Sequence, residues 1–292
     1  MIDCNLQHVK LNCLKSLSDS GLGNMLFQIA SCYGLARLYN SKWQIYDIIK
    51  VNELLKKYGG NHENTIYRNI NPGRLKERFV YLEEIENLYN ENYVKLIGKN
   101  LNENIIINGY FQSYKYFDKY KNDILKLFEI DELSKNYIEK KYPILFENKE
   151  TVSIHIRNKW SKKYQYCEDY FKDAISIIKK NKSEPIYYLI FSDDPENLQK
   201  TFLKEIKNKI WIKDNPDYID LWMMSLCKNN ILSHSTLSWW GAYLNKNKEK
   251  FVFYPGEWVK YIYEKKGIDY QNRFVKSHYP LEWINLKSKV FI

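Results

Sequence analysis

Residues 152–195, VSIHIRNKWSKKYQYCEDYFKDAISIIKKNKSEPIYYLIFSDDP, decide the fold. Residues 152–156 are apolar and β-branched around Ser153 and His155, and they read as a strand. Across 168–180, Phe171, Ala174, Ile175 and Ile178 fall on one stripe at helical spacing. Residues 186–191 form a second apolar strand, closed by Ser192-Asp193-Asp194-Pro195. Strand, amphipathic helix, strand is a βαβ unit. Near-continuous apolar strands of this kind predict a parallel sheet with right-handed crossovers.

The alternation continues on both sides. Downstream, the pattern predicts helices over 196–206, 220–227 and 238–244. Strands are expected at 209–212, 230–232 and 251–254, the last stopped by Pro255-Gly256. Upstream, 8–14 reads as a strand and Ser20-Gly21-Leu22-Gly23-Asn24 as a glycine turn. Leu22, Leu26, Ile29, Tyr33 and Leu38 then recur at helical spacing. Residues 43–48 predict a strand and 51–58 a helix. Residues 59–100 are polar and give no assignment. A β-branched run at 105–107 leads into Gly109-Tyr110-Phe111-Gln112-Ser113, and 114–130 reads as helical. The stretch 131–150 is charged, contains Pro143, and reads as a linker. The expected architecture is α/β: two Rossmann-like domains, 1–145 and 146–292, facing across a cleft.

Composition narrows the function less. Hydrophobic residues make up 45% and charged residues 27% of the 292, enough to bury a core. The net charge of +10 attracts anions, whether nucleotide-sugar phosphates, nucleic acid or anionic lipid. Charge alone does not choose among them. No RNA-binding or helix-turn-helix motif accompanies the scattered lysines, so nucleic acid is not the expected partner. Cys4, Cys13, Cys32, Cys167 and Cys227 are odd in number and form no CxxC pair, which supports neither a disulfide framework nor a zinc site. Reduced thiols suit a cytoplasmic protein. The N-terminus lacks the pattern of a signal peptide. No run of about 18 apolar residues offers a membrane span, so any contact with an anionic membrane would be peripheral.

In open α/β sheets ligands bind beyond the carboxyl ends of the strands. His155-Ile156-Arg157, Ser192-Asp193-Asp194 and Ser233-His234-Ser235-Thr236 all lie at such ends, and the glycine turn is a fourth candidate. Gly21, Gly23 and Asn24 open a helix whose N-terminus would favour an anion, or they are simply a tight turn with a cap. The Arg157 guanidinium suits a bidentate grip on a leaving pyrophosphate, or an ordinary surface ion pair. His155 would donate to a phosphate or to a base. Ser235, Thr236 and Ser238 would cradle a phosphate, or Ser238 would merely cap a helix. The Trp239-Trp240 pair reads as core. Asp193-Asp194 are adjacent rather than spaced for a metal, so one is expected to cap a helix and the other to make a polar contact. Asp220 would accept two bonds from the amidine edge of guanine, or sit as a helix-terminal carboxylate.

These segments, taken in order, resemble the α-1,2-fucosyltransferase family, glycosyltransferase family 11. The resemblance rests on 21–28 (GLGNMLFQ), 109–113 (GYFQS), 152–157 (VSIHIR), 191–194 (FSDD), and Asp220 through 235–242 (STLSWWGA). Residues 280–284 (PLEWI) resemble the family's C-terminal ending. The resemblance implies a GT-B fold, a GDP-fucose donor, a terminal galactose acceptor, inversion to an α-1,2 linkage, and no metal or other cofactor. It places pyrophosphate binding on Arg157 with His155 beside it, guanine reading on Asp220, and phosphate contacts on Ser235 and Thr236. The glycine turn would line the cleft. Two departures stand out. Arg157 is followed by Asn158-Lys159-Trp160 where the family continues with a basic residue and Gly-Asp-Tyr, and Met25 replaces the usual Gln. Another GDP-sugar donor, or a catalytically weak basic binding protein, remain alternatives.

Overall fold

The computed structural model describes residues 7–13, 21–46, 61–70, 72–73, 79–84, 86–100, 104–157, 168–183, 185–256 and 263–286. The helix expected at 51–58 and the segment Asn158-Lys159-Trp160 lie outside them. The chain forms two compact units. The first comprises residues 1–130 and 276–280; the second comprises 131–275 and 281–292.

In the first unit, β1 (Gln7–Cys13), β2 (Ser41–Tyr46), β3 (Pro72–Gly73), β4 (Phe79–Glu83) and β5 (Asn104–Asn108) form a sheet in the order β3-β2-β1-β5-β4. Every neighbouring pair is parallel. Helix α1 (Leu22–Leu38) links β1 to β2 and is buried from Leu22 through Ala36 except at Asn24. A helix apolar all round belongs inside a domain. Gly34 is required there, because a Cβ would stand 2.3 Å from the Tyr116 carbonyl oxygen. In the polar region that resisted assignment, α2 (Glu91–Lys99) is capped by Asn90, whose side chain accepts from the Asn92 amide at 2.9 Å.

The single helix expected over 114–130 is instead two 3₁₀ turns, Tyr114–Tyr116 and Asp118–Tyr120, followed by α3 (Lys121–Leu127). Phe117 breaks the run: its ring is fully buried and its φ of −137° leaves the helical range.

The second unit holds β6 (Glu150–Ile156), β7 (Ile186–Ser192), β8 (Lys209–Trp211), β9 (Asn229–Ile231), β10 (Val252–Tyr254) and β11 (Ile284–Asn285). They pair in parallel in the order β11-β10-β9-β6-β7-β8. Among the described residues the helices that accompany them are α4 (Glu132–Lys141), α5 (Glu168–Asn181), α6 (Pro195–Thr201), α7 (Asp217–Leu226), α8 (Thr236–Leu244) and α9 (Gly267–His278), whose last residues belong to the first unit.

The stretch 131–150 is thus no simple linker. Asp131 caps α4 by accepting from the Ser134 amide at 2.9 Å, Ile138 is buried, and α4 packs on α7. Its many charges lie on the solvent side, which is what made it read as a tether. Helix α6 is shorter than expected, and two residues beyond its end Leu203 adopts a φ of +43°. Helices α7 and α8 start earlier than expected, at Asp217 and Thr236.

Both sheets change direction at a defined place. In the second unit the chain runs β6, β7, β8 toward one edge, then returns to place β9 on the other side of β6. In the first it runs β1, β2, β3, then returns to place β5 beside β1. The carboxyl ends of β6/β9 and β1/β5 are therefore topological switch points, where splayed connections leave a crevice.

Candidate functional site

The switch point of the second unit gathers the polar residues singled out in the sequence. Strands β6 and β7 are in register from Glu150↔Ile186 to Ile156↔Ser192, so Arg157 and Asp193 emerge side by side. They pair, with Arg157 Nε 3.3 Å from Asp193 Oδ2. The Arg157 side chain is 48% exposed and Asp193 20%. A guanidinium held by Nε has its two NH₂ groups on the other side of the fork, the arrangement that suits bidentate phosphate recognition. Asp193 therefore touches the arginine, as the ion-pair reading of Arg157 expects.

Across the crevice, Nδ1 of His155 lies 2.7 Å from the Ser233 hydroxyl. This bond ties the end of β6 to the loop after β9. His155 is buried at 5% exposure, and burial together with the Arg157 charge pushes its pKa down to about 3. It is a neutral imidazole at physiological pH. His234, half-buried, is pushed down to about 4 by burial.

The loop then enters α8. Ser235 is the N-cap, with φ −141° and ψ 127°, and its own side chain makes no cap hydrogen bond. An N-terminus without a capping side chain carries a partial positive charge toward whatever faces it. Ser235 and Thr236 are half-exposed at this end. Ser238 is fully buried, and its hydroxyl donates to the Ser235 carbonyl at 3.1 Å. It braces the turn from inside and is not the N-cap. Trp239 and Trp240 are buried, as their reading as core requires.

Asp194 occupies the N-cap position of α6 but makes no side-chain cap bond; its carboxylate accepts from the Asn197 side chain at 2.9 and 3.2 Å. The Asp194 amide donates to the Ser192 hydroxyl at 3.0 Å. Asp220 lies in the first turn of α7, half-buried, and α7 packs against α8. Asn215 Nδ2 donates to Asp220 Oδ1 at 3.0 Å. Burial pushes the Asp220 pKa up to about 7; the Asn215 bond and Lys141 oppose this, while Asp217 adds to it. Asn215 is the functional candidate that sequence reading missed. Its only sequence signal is its place before Pro216 and five residues ahead of Asp220.

Gly21, Gly23 and Asn24 sit at the other switch point. Gly21 is the exposed N-cap of α1, and a Cβ there would meet nothing within 4 Å. Its φ of −67° needs no glycine, so open space rather than backbone strain distinguishes the position. Gly23 is buried inside α1. Asn24 Oδ1 accepts from Gln112 Nε2 at 2.9 Å, joining the first turn of α1 to the loop after β5. The 109–113 segment is held firmly: Phe111, with φ +47°, donates its amide to Glu84 Oε2 at 2.8 Å and accepts from the Ser31 hydroxyl at 3.0 Å.

Among the described residues no group of three or more His, Cys, Asp or Glu side chains gathers as a metal site, and no helix is long and apolar enough to cross a membrane. Among the described residues Cys32 and Cys227 are buried thiols outside any disulfide.

Two parallel sheets, each with polar loops at its switch point, make a two-unit α/β fold of the GT-B type. The family is settled by comparison with known proteins: the model of glycosyl transferase family 11 matches residues 22–276, and the chain belongs to that family. It is 28% identical to the Escherichia coli O-antigen biosynthesis glycosyltransferase WbnK, over 83% of this chain and 94% of that protein. It is 26% identical to an Escherichia coli α-1,2-colitosyltransferase, over 82% of this chain and 90% of that protein. Among solved structures it resembles NodZ, an α-1,6-fucosyltransferase from Bradyrhizobium co-crystallised with GDP. That match has a TM-score of 0.51 at 12% identity and covers 80% of this chain and 91% of NodZ. At that identity the likeness concerns the fold.

Proposed function

We propose that this glycosyltransferase moves L-fucose from GDP-fucose to the 2-hydroxyl of a terminal galactose, with inversion and without a metal ion. The observation that carries the reading is the convergence of Arg157 and the open α8 N-terminus on one switch point, the place where this fold class binds nucleotides. NodZ, of the same fold, takes GDP.

In this reading the second unit holds the donor and the first faces the acceptor. The acceptor hydroxyl oxygen forms its bond to the anomeric carbon on the face opposite the diphosphate and releases its proton to the surrounding water. The bond from that carbon to the diphosphate oxygen breaks, and its electron pair leaves with the phosphate. The transition state has oxocarbenium character. Negative charge grows on the departing diphosphate, so fixed donors aimed there lower the barrier most. Arg157 and the Ser235-Thr236 turn supply them, Asp193 aims the guanidinium, and Asp220 accepts from guanine. His155, neutral and tied to Ser233, shapes the crevice and offers a hydrogen bond rather than a charge.

A related reading changes only the sugar. One relative is an α-1,2-colitosyltransferase, and the residues after Arg157 depart from the family pattern. Incubation with GDP-fucose and a β-galactoside, with and without EDTA, tests donor, linkage and metal use together. An α-1,2-fucosylated product that forms equally in EDTA is the expected result. Hydrolysis or transfer with a different GDP-sugar alone would reassign the donor, and a response to a UDP-sugar alone would overturn guanine reading.

A further inference from the structure

A polar chain runs from the surface of α4 to Asp220. Tyr137 OH and Lys141 Nζ both donate to Asn215 Oδ1, each at 2.9 Å, and Lys141 also donates to Tyr137 OH at 2.8 Å. With two donors on its oxygen, the Asn215 amide has one orientation, and its NH₂ must face the other way. That NH₂ donates to Asp220 Oδ1 at 3.0 Å. It also lies 3.5 Å from the Tyr142 hydroxyl and 3.8 Å from the Met223 sulfur.

The backbone fixes the amide as firmly as the side chains do. Asp214 precedes it with φ +59°, a conformation Asp tolerates better than most residues. Pro216 follows and disfavours the α region for Asn215.

We propose that Asn215 is a positioning and specificity residue of the donor site: clamped by Tyr137 and Lys141, it orients the Asp220 carboxylate so that it reads the guanine edge of the nucleotide. This rests on the reading of Asp220 given above. A carboxylate that is to accept two N–H bonds from guanine must be ionised and held in one plane. Burial works against ionisation here. The groups that act on Asp220 are Asp217 from its own helix and Lys141 from α4; α8, packed on α7, contains no charged residue. Asn215 and Lys141 therefore tip the balance toward the carboxylate, and base recognition strengthens as pH rises through neutrality.

The test is calorimetric binding of GDP and UDP from pH 5.5 to 8.5. It compares the wild-type chain, Asp220→Ala, Asn215→Ala, and the double variant Tyr137→Phe/Lys141→Met, whose positions are exposed and tolerant. GDP's own phosphate titration is common to all four and cancels. The wild type should prefer GDP, and Asp220→Ala should lose both the preference and the pH dependence near neutrality. Asn215→Ala should keep near-normal affinity at high pH but move the midpoint up by about one to two pH units, the value of one hydrogen bond to a charged group. The double variant should move it the same way. An unshifted midpoint in Asn215→Ala, or in the double variant should the single one fail to fold, overturns the proposal and leaves guanine reading intact. A GDP preference that survives in Asp220→Ala overturns both.

Discussion

Replacing Arg157 with Ala separates stability from catalysis more sharply than any other change at the site. Among the described residues the guanidinium forms an ion pair with Asp193, at 3.3 Å, and the arginine is 48% exposed. Ion pairs of this exposure contribute at most about 1 kcal/mol to stability, which for a chain of this size is roughly 2–4 °C in melting temperature. The catalytic cost is of another order. If the free edge of Arg157 meets the departing diphosphate, its loss removes a preorganised donor worth about 2.7–4 kcal/mol, or roughly 10²–10³ in kcat. Because that interaction strengthens as charge develops, kcat should fall and KM change little. Arg157→Lys keeps a charge without the fork and should fall between the two. Initial-rate assays of GDP-sugar consumption alongside thermal unfolding would measure both effects. An Arg157→Ala enzyme that folds normally and turns over within tenfold of wild type would refute the assignment.

Further outcomes follow from the packing. His155 titrates near 3 in the folded chain and near 6.5 when unfolded, so between those values the unfolded chain holds a proton that the folded chain lacks. Its contribution to stability is therefore present above about 6.5 and lost as pH falls, and His155→Asn should flatten the acid limb by about 2 kcal/mol between pH 7 and pH 5, read from urea midpoints. Gly34→Ala drives a methyl into the Tyr116 carbonyl and should cost at least about 2 kcal/mol, visible as a lower melting temperature or loss of soluble protein. Gly21→Ala should leave stability within about 0.5 kcal/mol, since its Cβ meets nothing, yet reduce transfer if the α1 turn faces substrate; unchanged rates would remove that turn from the site.

The parallel sheets were legible because their strands are short β-branched runs separated by striped helices, as in 152–156, 168–180 and 186–191. The reading failed where local chemistry overrode pattern. At 131–150 the charges concealed an amphipathic helix with one buried isoleucine and an aspartate cap. At 114–130 a buried phenylalanine forced a break in an otherwise helical composition. Helix α9 and strand β11 lie beyond the last strand that the sequence pattern predicts. At the site, strand-end polar residues were easy to find because sheet topology dictates where they must be. Their partners were not. That Asp193 belongs to Arg157 follows only from the β6/β7 register, and that His155 belongs to Ser233 only from β9 returning to the far side of β6. Asn215 depends on tertiary contacts with α4, which no spacing rule reveals.

Residues 276–280 belong to the first unit although the chain on either side of them belongs to the second. Ser277 exchanges buried bonds with Ser113, at 2.6 and 3.0 Å, and receives the Tyr89 amide at 2.7 Å; the His278 ring stacks on Phe27 at 5.5 Å. During synthesis, then, the first unit must wait for residues 276–280 to emerge before its interior is filled. A fragment cut at residue 130 would keep Ser113 and Phe27 with their late-arriving partners missing, and is expected to be a sticky, chaperone-dependent species rather than an independently folding module.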